Sequence, residues 1–179
     1  HKDYYSSDTG AISSYMIKKL KCEYIIIGHS DNRAQGDSDK IIKDKIKFAI
    51  KNNLKVIFCI GENKKQKFQK KTLKVLNRQI KNVIEKKLSS KKIIFAYEPI
   101  WSIGTGIIPG SEELTKISKF INKTVKNIFK NNKNPSILYG GSVESSNIEK
   151  FREIEGINGF LIGGASKSSK KFIDIIKNY

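Results

Sequence analysis

Five short apolar runs constrain this chain more than anything else in it. They are Tyr24-Ile25-Ile26-Ile27-Gly28, Val56-Ile57-Phe58-Cys59-Ile60, Lys92-Ile93-Ile94-Phe95-Ala96, Ser136-Ile137-Leu138-Tyr139 and Gly159-Phe160-Leu161-Ile162. Each is short, rich in β-branched or aromatic side chains and ends in glycine or a polar residue, as buried strands do. Amphipathic stretches separate them. Ile42, Ile46, Ala49 and Ile50 share one face of a predicted helix over 39–51, and Leu114, Ile117, Ile121 and Ile128 make the stripe of another over 112–130, with Ser111 as its expected cap. A single lysine-rich helix is predicted over 65–88, with Phe68, Thr72, Leu76, Ile80 and Ile84 at four-residue spacing. A short helix over 12–20, capped by Ser13 and carrying Met16, Ile17 and Leu20, leads the series, and a polar loop (1–10) precedes it. A short helix is expected over 146–151, and the last helix carries Phe172, Ile175, Ile176 and Tyr179 on one side. Strand and helix thus alternate five times, which predicts an α/β fold with a parallel sheet and right-handed crossovers.

With 179 residues, 38% of them hydrophobic, the chain can bury one sizeable core, and one domain is expected. The sequence begins with His1, and its one methionine, Met16, lies inside a predicted helix, so a fragment is expected. The net charge of +18 would ordinarily point to nucleic acid or an acidic membrane surface. However, only Arg33, Arg78 and Arg152 are arginine. The 32 lysines are scattered over polar helix faces, which favours a solvated surface over a nucleic-acid reader. Cys22 and Cys59 are too few and too far apart for a disulfide framework or a four-ligand zinc site, and each reads as a buried small apolar residue in a reducing compartment. No run approaches the roughly 18 apolar residues of a membrane span, and no signal peptide is visible, so a cytoplasmic protein is expected.

The strand ends carry the chemistry. His29, Glu62, Glu98, Ser142 and the pair Gly163-Gly164 each follow a predicted strand, and in a parallel sheet or barrel these ends lie on one face, where sites are assembled. Glu98 stands before Pro99, which forbids helix there and ends the strand, and before the glycine-hinged loop Trp101-Ser102-Ile103-Gly104-Thr105-Gly106. The bland alternative is a strand terminus followed by a solvated turn. A loop able to exclude water would strengthen the carboxylate as a base. The residues after His29 suit a turn of helix whose amides favour a neutral ring, able to donate to a substrate oxygen. Gly140-Gly141-Ser142 and Gly163-Gly164 offer unobstructed backbone N–H groups and a hydroxyl, as an anion site requires, although either pair alone also suits a tight turn. A base, a neutral donor and a phosphate grip suit proton transfer beside the carbonyl of a small sugar phosphate.

The stretch Tyr97-Glu98-Pro99-Ile100-Trp101-Ser102-Ile103-Gly104-Thr105-Gly106 closely resembles the signature of the triosephosphate isomerase family. Thr9-Gly10, Cys22 to Ser30, Tyr139-Gly140-Gly141-Ser142-Val143 and Gly163-Gly164-Ala165-Ser166 agree with it. The resemblance implies an isomerase of glycolysis and gluconeogenesis that interconverts dihydroxyacetone phosphate and glyceraldehyde 3-phosphate, with no cofactor and no metal. Glu98 would shuttle the proton and His29 would be the neutral electrophile, the known pattern of that enzyme carried over by likeness. Gly104, Ser142, Gly163 and Gly164 would bind the phosphate. Residues 101–106 would close as a lid. A homodimer is implied for the intact protein, with no nucleic-acid or membrane partner.

The implied fold is a (β/α)8 TIM barrel, incomplete here. Five βα units and a leading helix, over residues 1–179, resemble strands four to eight. A complete barrel needs about 250 residues. The family's N-terminal substrate-binding Asn and catalytic Lys have no counterpart in this sequence, so little or no isomerase activity is expected of this polypeptide alone. Asp31-Asn32 replaces the usual Glu-Arg after His29-Ser30, Ile107 replaces the usual lysine at the loop's far hinge, and Lys167 replaces a commonly apolar residue. Two competing readings are a catalytically silent phosphate-binding barrel and a basic nucleic-acid-binding protein on the same scaffold.

Overall fold

The computed structural model describes residues 9–179. Of the predicted polar loop over 1–10, residues 1–8 lie outside the described residues. The elements run α1 (Ser14–Lys19), β1 (Tyr24–Ile27), α2 (Ser30–Ala34), α3 (Asp39–Lys51), β2 (Lys55–Ile60), α4 (Lys64–Phe68), α5 (Thr72–Val83), β3 (Ile93–Tyr97), α6 (Ser111–Phe129), β4 (Ile137–Tyr139), β5 (Gly159–Phe160) and α7 (Ser169–Asn178). The five strands form one sheet in the order β1-β2-β3-β4-β5, every pair parallel. Sequential order means that every crossover steps in the same direction. Such a sheet is singly wound, unlike the doubly wound sheets whose order reverses at a switch point.

Alternation along the strands sends one set of side chains toward the helices. Val56, Phe58 and Ile60 from β2, Ile93, Phe95 and Tyr97 from β3, and Ile137 and Tyr139 from β4 are all buried in one core. Ile42, Ile46 and Ala49 of α3, Leu76 and Ile80 of α5, and Leu114, Ile117 and Ile121 of α6 close that core from outside. Phe58 and Phe95 meet edge to face with centroids 5.9 Å apart. Burial of side chains of this size stabilises by roughly 1.5–3 kcal/mol each.

α1 begins at the cap the sequence places there, and α3 has a serine cap that the sequence reading did not name. Ser13 accepts from the Met16 amide at 3.2 Å, and Ser38 accepts from Ile41 at 3.3 Å. Ser111 is different. It is the first helical residue of α6, and Gly110 occupies the cap position without a side-chain bond. Among the described residues, no helix is long and apolar enough to cross a membrane.

The single helix predicted over 65–88 is two helices. α4 stops at Phe68, Lys70 turns into the left-handed region at φ 53°, and α5 begins at Thr72. Lys67, Lys70, Lys71 and Lys74 would stack at three- and four-residue spacing in a continuous helix, and such like-charge pairs oppose it. The break also changes which residues are buried. Thr72, Val75, Leu76, Gln79, Ile80 and Val83 face inward on α5, whereas Phe68 is 77% exposed.

Other departures collect at the two ends of the open sheet. Met16 on α1 and Leu20 at its C-terminal cap, and Phe172, Ile176 and Tyr179 at α7, are exposed, and of the predicted last stripe only Ile175 is buried. α1 packs on α3, while α7 packs on the two short 3-10 turns Ile148–Phe151 and Gly164–Lys167, so each flanks only one end of the sheet. The turn Ile148–Phe151 stands where a helix was expected over 146–151. Cys22 is exposed just ahead of the end strand β1, contrary to its expected burial, whereas Cys59 is buried. The predicted strand over 159–162 shortens to two residues, although the Leu161 amide still reaches Tyr139 O at 2.9 Å.

Leu76→Ala is expected to lower unfolding stability by about 2–5 kcal/mol, and Phe68→Ala to stay within about 0.5 kcal/mol of the parent chain, as read from urea midpoints. Comparable losses at both positions would restore the continuous helix.

Candidate active site

Glu98 follows β3 directly, and its amide continues the sheet ladder to Ile60 O at 2.8 Å. The residue is only 3% exposed, so its carboxylate needs partners at the rim. His29 supplies one, with Nε2 3.4 Å from Glu98 Oε1. The imidazole is itself the N-cap of α2, with Nδ1 accepting from the Asp31 amide at 3.2 Å. An Nδ1 that accepts carries no proton, so the ring hydrogen sits on Nε2 and faces Glu98. Burial pushes the Glu98 carboxyl above its ordinary value, opposed by the neighbouring His29, the Cys59 thiol and the Ser30 amide. Burial also raises the Cys59 thiol, helped by the Glu98 carboxylate.

Two glycines make the space for Glu98. A Cβ on Gly61 would stand 1.8 Å from Glu98 O, and one on Gly140 would stand 2.8 Å from Glu98 Cγ. Gly61 is in turn gripped by Gln79 of α5, whose amide oxygen accepts from Gly61 N at 2.9 Å and whose nitrogen donates to Gly61 O at 3.1 Å. Sequence reading missed Gln79, although a polar residue in the middle of an apolar helix face is a visible signal.

The loop after Glu98 is tied down at both ends. Trp101 Nε1 donates to Glu62 Oε1 at 2.8 Å, and the Tyr97 hydroxyl lies 3.2 Å from both oxygens of the same buried carboxylate. Burial and the Glu62 charge push the Tyr97 hydroxyl well above its usual range. The tryptophan's hydrogen bond is therefore to Glu62. At the other end, buried Ser102 donates to Ile107 O at 2.5 Å, lies 2.9 Å from the Tyr139 hydroxyl and accepts from Ser142 N at 3.2 Å. Ser142 Oγ accepts from the Gly106 amide at 3.1 Å. Burial pushes the Tyr139 hydroxyl up to about 12. Gly141 belongs to this cluster, because a Cβ there would meet the Tyr139 hydroxyl at 2.2 Å.

Gly104, Ser142, Gly163 and Gly164, the residues predicted to hold phosphate, line one cavity of about 290 Å³. Lys171 is the cationic side chain among its walls, and Glu144 brings a carboxylate. Gly163 and Gly164 have open space where a Cβ would stand, so packing does not require glycine at either. Gly140 and Gly141 differ, being explained by packing against Glu98 and Tyr139. Among the described residues, no group of three or more His, Cys, Asp or Glu is placed to hold a metal ion.

The family model described as triosephosphate isomerase matches residues 2–179. The chain belongs to the triosephosphate isomerase family. Its relatives include the triosephosphate isomerase of Thermodesulfovibrio yellowstonii, 42% identical over 171 residues that make up 94% of this chain and 70% of that protein. The triosephosphate isomerase of Mycoplasmopsis pulmonis is 41% identical over 169 residues, 94% of this chain and 65% of that one. The crystal structure of triosephosphate isomerase from Bartonella henselae superposes with a TM-score of 0.89 at 34% identity, over 100% of this chain and 74% of that one. The chain therefore spans about two thirds to three quarters of the length of these relatives. Its singly wound sheet is an arc of the TIM barrel of triosephosphate isomerase, with β1 and β5 at its ends. Of the departures from the family pattern, Asp31 lends His29 its backbone amide, and Ile107 accepts from Ser102 through its carbonyl. Nothing in the structure explains Lys167.

Gly61→Ala is expected to destabilise the chain by about 1–3 kcal/mol or more, because the clash is with main chain and cannot be relieved by a rotamer change; chemical denaturation measures it. Glu98→Gln tests the burial of the carboxylate. The folded-state pKa lies above the ordinary 4.5, so the native state keeps a proton that the unfolded chain has released, and stability falls as pH rises from about 4.5 through the folded value. The Gln variant should gain on the parent across that window and hold its advantage above it. Parallel stability-versus-pH curves would contradict this.

Proposed function

We propose that the chain carries the proton-shuttling site of a triose-phosphate isomerase, with Glu98 as base and His29 as electrophile. The observation that carries this reading is the approach of His29 Nε2 to Glu98 Oε1 at 3.4 Å, on a rim continuous through Gly140 and Ser142 with the glycine-lined cavity. The Glu98 carboxylate takes a proton from the carbon beside the carbonyl of dihydroxyacetone phosphate. The Nε2–H of His29 donates to the carbonyl oxygen as negative charge develops there. Returning that proton to the neighbouring carbon, while the C1 hydroxyl gives up its proton and the former carbonyl oxygen takes one by way of the His29 ring, gives glyceraldehyde 3-phosphate with no net change in protons. A carboxyl held high by burial is the stronger base once ionised, and a ring that carries hydrogen only at Nε2 can donate without itself becoming a cation.

Gly104, Ser142, Gly163 and Gly164 anchor the phosphate, which fixes the reacting carbons against Glu98. Residues 101–106 act as the lid that excludes water. The reading also includes assembly of two copies, a cytoplasmic setting and no nucleic-acid partner. A silent phosphate-binding barrel would keep the cavity and lose the proton transfer, which makes proton transfer the discriminating measurement.

Exchange of the substrate's C1 hydrogen with deuterated solvent, followed by proton NMR, reads that step directly even where overall turnover is low. Glu98→Asp should slow exchange by about 10²-fold relative to the parent chain, because the base is withdrawn by roughly 1 Å, while dihydroxyacetone phosphate binding changes little. Equal exchange in parent and variant would remove Glu98 from the mechanism.

A further inference from the structure

The break between α4 and α5 leaves α4 as a separate five-residue turn beside the loop after Glu98. Its orientation is set by a capping box, in which Asn63 Oδ1 accepts from Gln66 N at 2.9 Å and Gln66 Oε1 accepts from Asn63 N at 3.0 Å. This box starts one residue after Glu62, the carboxylate that holds Trp101. It presents Lys67 toward the loop. The Lys67 ammonium lies 5.1 Å from the centroid of the Trp101 ring and is hydrogen-bonded to Glu113 Oε1. Trp101 is therefore held along its edge by Glu62 and across its face by Lys67, while Glu113 belongs to the first turn of α6, beyond the loop's far hinge at Ile107 to Pro109.

We propose that Lys67 is a positioning residue that clamps the two hinges of the 101–106 loop to each other, through Trp101 at one end and Glu113 at the other, and so biases the loop toward the conformation described. The clamp rests on the reading of that loop as a lid only for its catalytic meaning; the contact itself stands apart from it. Three observations support it. The cation–π contact and the ion pair share one ammonium, so neither hinge can shift without disturbing the other's partner. The ammonium is partly sheltered, and that burial pulls it below the usual lysine range while the Glu62 charge acts in the opposite sense, so it stands near the carboxylate that holds Trp101 as well as against Glu113. Finally, Leu73, Trp101 and Ile117 stand in the wall of the same groove as Lys67, among charged residues such as Lys64 and Glu112, so the aliphatic stem of the lysine has apolar surface beside it while its head is paired with Glu113.

Trp101 is the only tryptophan in the chain, so its emission reports on the clamp without any turnover. Lys67→Met keeps the aliphatic stem and removes the charge. It should raise acrylamide quenching of Trp101 by roughly two- to five-fold, the size expected for losing one cation–π contact and one partly exposed ion pair. Lys67→Arg should restore the parent value. Glu113→Gln should move quenching the same way, and the double variant should add little to either single change. Lys64→Met, which removes another lysine of the same groove, should leave quenching unchanged. Unaltered quenching in Lys67→Met, strictly additive effects with Glu113→Gln, or an equal effect from Lys64→Met would each overturn the clamp. Because quenching is read on the unliganded chain, the clamp can fail while the exchange experiment on Glu98 succeeds, and the reverse.

Discussion

The site depends on one arrangement: a carboxylate drawn out of water at the end of a parallel strand. Glu98 keeps the ladder bond to Ile60, so its main chain cannot move away, and the neighbouring strand ends have to vacate space for it. Gly61 yields to its carbonyl and Gly140 to its side chain. The desolvation is then offset by Nε2–H of His29, the Cys59 thiol and the Ser30 amide. Each compensating group comes from the end of β1 or β2, which is why the order of strands matters to the chemistry. A singly wound sheet brings consecutive strand ends side by side, and the groups that face Glu98 arrive in chain order.

The loop that follows is anchored by two separate polar clusters of different character. Its first hinge rests on a buried carboxylate, Glu62, that accepts from two aromatic residues. Its second hinge rests on neutral hydroxyls, Ser102, Tyr139 and Ser142, that share hydrogens with loop carbonyl and amide groups. Hydroxyls can exchange partners at little expense, whereas a buried carboxylate that loses its donors is left unpaired in a dry setting. The second hinge is thus the easier one to re-form, and Ser142 is common to that hinge and to the cavity wall.

Much of the fold was legible because the signals are local. Alternating apolar runs and amphipathic stretches placed five strands, and α3 begins and ends where its apolar stripe does. The strand-end residues His29, Glu98, Ser142 and Gly163-Gly164 could be picked out because glycine and polar groups after a buried run are conspicuous. The break at Lys70 was not legible. Four-residue spacing continues through Phe68 and Thr72, and only the accumulated lysine repulsion and the left-handed turn stop the helix. The exposed apolar stripes of α1 and α7 were equally hidden, since a stripe shows that a face is apolar and not whether anything lies against it.

By itself, the sequence determined the order of the five strands, the parallel sheet and the identity of the groups at its rim, because hydrophobic periodicity and residue chemistry are properties of neighbours along the chain. The tertiary structure alone decided which glycines answer to packing and which to open space, and that Gln79 braces Gly61. It also decided that Trp101 is held between Glu62 and Lys67. These are contacts across tens of residues, set by how strands align and helices pack. A one-dimensional pattern carries the groups but not the distances between them.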